Sequence, residues 1–281
     1  INNPEMYARV LDAGVCEAVV HILNDHSSNS VEASASACTV IKNLCYGSKD
    51  LAEHFADSGA CEAVVHAASM HIGEAEVADA AAGAIGMLAR NNITHSYLLA
   101  QAGACDILAQ LGNYGFNVRH DLCSIIAANV CYAFSQLAEA SNASDLMNAG
   151  ACELVVSLVT FHHDNALVVV PGVKAICCLA SLNFECRECL GRVKACELLV
   201  ECIGRFCTSS ELDVNNNGNN GNSSSGNGVD GLGLGSPTDR KLSDDECGFQ
   251  SPTIPGEIGS TTTTHSGIST NIRYVYKLHN Q

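Results

Sequence analysis

Residues 149–156 read Ala149-Gly150-Ala151-Cys152-Glu153-Leu154-Val155-Val156, and the chain writes this phrase five times. The other copies are Gly14-Val15-Cys16-Glu17-Ala18-Val19-Val20, Gly59-Ala60-Cys61-Glu62-Ala63-Val64-Val65 and Gly103-Ala104-Cys105-Asp106-Ile107-Leu108, then Lys194-Ala195-Cys196-Glu197-Leu198-Leu199-Val200 with lysine in the glycine slot. The repeated cysteines, 16, 61, 105, 152 and 196, lie 45, 44, 47 and 44 residues apart. Self-similarity at that period belongs to stacked helical units, each burying its apolar surface against its neighbours.

Each unit subdivides in the same way. A short helix ends at the glycine, as in Asp50 to Gly59, because the residue just past a helix end takes a left-handed backbone. A second helix follows, Ala60 to about Met70 in the second unit, then a polar break at His71 to Glu74 and a long third helix from about Ala75 to Arg90. The corresponding long helices are expected at Val31–Tyr46, Arg119–Ala138 and, in the fourth unit, Gly172–Leu182. There Pro171, which lacks a donor and clashes with the preceding turn, should start or kink the helix. Gly83 and Gly86 interrupt the third helix of the second unit and are read as close packing against a neighbour.

The units are therefore expected at about 1–46, 47–91, 92–138, 139–183 and an incomplete 184–212, together forming one repeat domain over residues 1–212. From 213 to 281 the composition turns to Asn, Gly, Ser and Thr, as in Asn215-Asn216-Asn217-Gly218. Such a stretch buries too little apolar surface to offset its ordering entropy and reads as a disordered tail.

The formal charge is −16, and residues 1–212 alone hold 23 carboxylates against 10 Lys and Arg, a balance of −13. That argues against a nucleic-acid backbone or an anionic membrane as partner and favours one carrying basic residues. Part of the acidity is helix-start chemistry. Glu17, Glu62, Asp106, Glu153 and Glu197 each fall in a first turn, worth about 0.3–1 kcal/mol against the helix dipole. Sixteen cysteines at mostly apolar, repeat-phased positions read as small buried hydrophobes in a reducing, cytoplasmic or nuclear compartment. No secretory signal opens the sequence and no apolar run reaches transmembrane length.

Three helices per unit with glycine before the second resembles the armadillo repeat. The matching phrases are Leu11-Asp12-Ala13-Gly14 and Leu146-Met147-Asn148-Ala149-Gly150 with the Cys-Glu-Leu-Val-Val type helix after them. The third-helix signature is echoed by Val40-Ile41-Lys42-Asn43-Leu44-Cys45, Ala84-Ile85-Gly86-Met87-Leu88-Ala89, Ala133-Phe134-Ser135-Gln136-Leu137-Ala138 and Ala175-Ile176-Cys177-Cys178-Leu179-Ala180. The resemblance spans about residues 5–207 and implies an all-α, right-handed α-solenoid of about five three-helix repeats. It also implies that the third helices line a concave groove, where an Asn on each one bonds the backbone of an extended partner. That slot here holds Asn43, Met87, Gln136 and Cys178, and the slot one turn earlier, Trp in importin-type proteins, holds Thr39, Gly83, Tyr132 and Lys174.

Candidate groove residues are therefore Thr39, Asn43, Asn129, Tyr132, Gln136 and Lys174. The expected function is that of a protein-interaction scaffold or adaptor binding a partner segment with basic residues, without catalysis, cofactor or metal. No nucleophile elbow, phosphate-cradling loop or paired catalytic carboxylates appear, and Gly231 to Gly235 has no strand before it or helix after it. The alternative is a thiol-redox or zinc protein built on the Cys177–Cys202 cluster, where Cys186-Arg187-Glu188-Cys189 forms a CxxC without a matching second pair. A spacer inside a longer solenoid is a third reading. His162-His163-Asp164 and His66 with His71 sit at polar breaks and are not read as metal sites.

Overall fold

Four glycines set where the units turn. Gly14, Gly59, Gly103 and Gly150 stand at φ +66, +89, +91 and +72°, each in the left-handed conformation directly before a second helix. Lys194 fills the same position at φ +62°, so the fifth unit makes the same turn with a residue that carries a steric penalty there.

A computed structural model describes residues 4–117, 121–139 and 142–216, side chains up to residue 205. The chain divides into two units, Ile1–Phe206 and Cys207–Gln281. The tail expected from residue 213 lies, beyond residue 216, outside the described residues. Among the described residues all regular structure is helical: fourteen α-helices and one 3-10 turn. The first helices are α1 (Pro4–Asp12), α4 (Lys49–Asp57), α7 (Ile93–Gln101), α10 (Ala143–Asn148) and α13 (Phe184–Arg192). The second helices are α2 (Val15–His26), α5 (Ala60–Met70), α8 (Ala104–Leu111), α11 (Ala151–Phe161) and α14 (Ala195–Asn216). The third helices are α3 (Val31–Gly47), α6 (Ala75–Ala89), α9 (Cys123–Glu139) and α12 (Ala166–Leu182). The architecture is a right-handed α-solenoid in which α3 packs on α6, α6 on α9 and α9 on α12.

Small side chains let the helices approach closely. The seam holds Cys16, Cys38, Cys45, Cys61, Cys105, Cys131 and Cys152 together with buried Ala, Val and Leu. Burial pushes the Cys38 and Cys131 thiols up to about 12, so both stay protonated at neutral pH. Cys196 departs from the expected pattern and is exposed. In the other units the second helix is covered by the first helix of the next unit, as α13 covers Cys152 with Cys186 and Cys189. No following first helix covers α14 among the described residues.

Two expectations for the third helices need correction. α9 begins at Cys123 rather than Arg119, after the 3-10 turn Gly112–Phe116, with the Ile126 N–H donating to the Leu122 carbonyl at 2.8 Å. α12 begins at Ala166 and runs through Pro171, started by the Asn165 side chain accepting from the Leu167 N–H at 3.0 Å. Proline inside a helix costs about 3 kcal/mol. Val168 and Val169, 0 % and 3 % exposed, offset this, since burying each contributes about 1.5–3 kcal/mol.

Successive units also stitch to each other through polar groups that the sequence pattern does not mark. Arg90 Nη2 donates to the carbonyls of Cys45 and Tyr46 at 3.2 and 3.1 Å, capping α3 from the end of α6. The ring of His95 and the hydroxyl of Ser96 cap α6 at Leu88 and Ala89, 3.1 and 3.2 Å away. Asn142 is buried and donates to Leu137 O at 3.2 Å and Ser96 O at 3.3 Å, while Arg187 reaches Ala180 O at 3.2 Å. At the opposite edge, His71 bonds the Ser27 carbonyl and His162 the Gly115 carbonyl, each from one unit back to the one before.

Candidate functional site

The third-helix face is built around a gap. Gly83 and Gly86 on α6 have no side chains to fill it, so neighbours reach in from both sides. A Cβ at Gly83 would stand 2.2 Å from Lys42 Cδ of α3 and 3.4 Å from Asn129 Nδ2 of α9. One at Gly86 would stand 2.7 Å from the Tyr132 ring of α9. The close packing expected of these glycines is therefore packing by groove side chains, which explains why glycine stands where alanine would favour the helix by about 1 kcal/mol.

Polar contacts on this face fall into two clusters. In the first, Lys42 Nζ lies 3.3 and 3.4 Å from the two carboxylate oxygens of Asp79 on α6. Asn129 Nδ2 donates to Asp79 Oδ1 at 2.6 Å and to the Asp79 carbonyl at 3.3 Å, so three successive third helices share one carboxylate. Beside it is an open depression of about 380 Å³ lined by Ala35, Ser36, Thr39, Glu76, Asp79 and Leu122. In the second, Lys174 Nζ on α12 pairs with Glu139 at 2.9 Å and stands 5.9 Å from the centre of the Tyr132 ring. That distance allows a cation–π contact.

The six sequence-predicted residues do not share one environment. Thr39 lines the depression, and Asn43 is exposed on α3. Asn129, Tyr132 and Lys174 are half-buried and engaged in the two clusters. Gln136 is 2 % exposed, and its Nε2 donates to Ser135 Oγ at 3.2 Å and Glu139 Oε1 at 3.3 Å. It orients a carboxylate from below rather than reaching outward.

Lys42, Asp79, Glu76 and Glu139 are not among the sequence-predicted residues. The available signal was Gly83 and Gly86 themselves: two glycines within one helical turn leave room that long side chains from adjacent units fill.

The cysteine alternative resolves differently from its sequence. Cys186 and Cys189 share the buried face of α13 beside Cys152, and Cys189 Sγ donates to Glu153 Oε1 at 2.9 Å. Burial, reinforced by Glu153, pushes the Cys189 thiol up to about 11, away from the thiolate that metal binding and exchange require. Cys177 and Cys196 are exposed. Among the described residues no group of three or more His, Cys, Asp or Glu side chains is placed to hold a metal ion. The His162-His163-Asp164 nitrogens are likewise engaged, His162 with Gly115 O and His163 with Thr160 O and Asp164.

No protein-family model and no curated protein matches the sequence. Solved structures do. An engineered protein superposes with a TM-score of 0.61 at 26% identity, covering 72% of this chain and 78% of that one. A designed armadillo repeat protein in complex with the peptide (KR)4 follows at TM-score 0.57 and 25% identity, covering 70% and 77%. A second designed armadillo repeat protein matches at TM-score 0.59 and 25% identity over 70% and 78%. With glycine-led three-helix units, a stacked row of third helices and these matches together, the chain has the armadillo repeat fold.

Proposed function

We propose that this chain is a protein-interaction scaffold whose third-helix face holds an extended partner segment carrying basic side chains. The observation that carries the reading is the uninterrupted row α3, α6, α9 and α12, which presents Thr39 and Asn43 on α3, Asn129 and Tyr132 on α9 and Lys174 on α12 beside the carboxylates Glu76 and Asp79 of α6 and Glu139 of α9. A designed armadillo repeat protein is solved in complex with the peptide (KR)4, which supports a peptide occupant and its basic charge. The acidic excess of the chain steers such partners more than it tightens them. An adaptor of this kind catalyses nothing and works in a reducing compartment, the cytoplasm or nucleus.

Cys177 gives a direct test, because it is exposed on α12 three residues beyond Lys174. Saturating (KR)4 is expected to slow maleimide labelling of Cys177 while leaving Cys196 unchanged. Binding of the peptide with no protection of Cys177, and no loss of affinity in Asn43→Ala or Asn129→Ala, would place the peptide elsewhere and remove the groove reading.

A further inference from the structure

Resting on the groove reading, we propose that Lys42 and Lys174 are built-in occupants of two cation positions on the third-helix face. A basic partner then binds by displacing them, and these two lysines set which partners succeed.

Three features of the geometry support this. Each lysine crosses from its own unit to the neighbouring one: Lys42 from α3 to the Asp79 carboxylate on α6, Lys174 from α12 to Glu139 and the Tyr132 ring on α9. Each lands on a receptor that is already assembled. Asp79 is held by Asn129 at 2.6 Å, and Glu139 accepts from the buried amide of Gln136 at 3.3 Å. Neither pair is sealed. Lys42 and Asp79 are 23 % and 20 % exposed, Lys174 and Glu139 28 % and 39 %, so an incoming ammonium or guanidinium can exchange with the resident one.

Chain geometry reinforces the assignment for Lys42. Its aliphatic stem lies where a Cβ of residue 83 would be, so the glycine leaves a lane leading to Asp79. Glu76 meanwhile remains exposed in the adjoining depression. A cationic side chain entering the depression meets Glu76 first and must then compete with Lys42 for Asp79. Competition of this kind lowers apparent affinity by the fraction of molecules in which the position is vacant. It also discriminates, since a partner with one basic residue gains little while one with several, correctly spaced, can displace both lysines.

The test uses the full chain and a fluorescent (KR)4 peptide, with binding read by anisotropy at fixed salt. Lys42→Met and Lys174→Met keep the packed stems and remove the charge. Each is expected to tighten peptide binding by up to about fivefold, the most that displacing a partly exposed pair worth under about 1 kcal/mol can cost, with the double variant tighter still. Asp79→Asn added to Lys42→Met should abolish the gain, because the vacated carboxylate is gone. Lys49→Met is the control for general charge removal: Lys49 pairs with Glu53 on α4, away from this face, and is expected to shift affinity less than about twofold. Circular dichroism verifies that each variant is folded. Unchanged or weaker binding by both Met variants, where the unmodified chain binds, overturns the displacement proposal and leaves the groove reading standing. An equal gain at Lys49 overturns it too. Absence of (KR)4 binding by every form overturns both.

Discussion

Replacing Gly83 with alanine tests whether the glycine gap exists for the sake of Lys42. Alanine in a helix interior gains about 1 kcal/mol over glycine. Against this, the new Cβ would sit 2.2 Å from Lys42 Cδ, 3.1 Å from Lys42 Cγ and 3.4 Å from Asn129 Nδ2. All three are side-chain atoms, so the clash resolves by swinging Lys42 outward and giving up its pairing with Asp79. A partly exposed ion pair of that kind contributes under about 1 kcal/mol after screening. The two effects nearly cancel, and Gly83→Ala should unfold in urea within about 0.5 kcal/mol of the unmodified chain. The informative measurement is a double-mutant cycle with Lys42→Met. With glycine kept at position 83, removing the ammonium costs the pairing energy; in the Gly83→Ala background it should cost nothing measurable. If Lys42→Met is equally costly in both, the stem does not depend on the gap. The reasoning that links α6's glycines to the groove then fails.

The left-handed turn at Lys194 should be relieved by glycine, so Lys194→Gly is expected to raise stability by about 0.5–1 kcal/mol in chemical denaturation. Gly103→Ala, at φ +91°, should lower it by about 1–2 kcal/mol in the same assay; equal effects at both sites would contradict the assignment. His162→Ala removes the bond to Gly115 O and should cost about 1–2 kcal/mol with faster hydrogen exchange at the 112–116 turn, whereas exposed His66→Ala should cost nothing. Buried thiols make the fold sensitive to alkali. Cys38 and Cys131 keep their protons up to about 12, while the unfolded chain loses them above its ordinary thiol range near 9, so the unfolded state binds fewer protons and stability falls as pH rises. The expected slope between about pH 9 and 12 is roughly 1.4 kcal/mol per pH unit for each such thiol, read from melts under reductant. A flat profile to about pH 11 would refute it.

The starts of the second helices were legible, because one glycine at positive φ precedes each of the first four, and Ala60–Met70 was legible at both ends; α14, expected to stop near residue 207, runs on to Asn216. The third helices of the first two units were legible within a residue at each end, whereas for α9 and α12 the ends were legible and the starts were not. Pro171 misled because a general penalty was weighed without the burial of Val168 and Val169, which only the fold supplies. The groove was half legible. Asn43 and Thr39 follow from their slots, but Gln136 is buried, and the Lys42–Asp79 pair spans 37 residues of sequence. Cys196 misled for a similar reason, since its repeat position is buried only where another unit follows.

The caps that close each third helix come from the unit after it, and no two neighbouring junctions use the same chemistry: Arg90 first, then His95 with Ser96, then Asn142, then Arg187. Modules that look alike in their helices are thus keyed at their joints. A recombinant chain with the second and fourth units exchanged would keep every helix and every apolar contact type, yet present the wrong donor at several seams. Its order is part of its stability, and shuffled versions should melt earlier than the native arrangement even with identical composition.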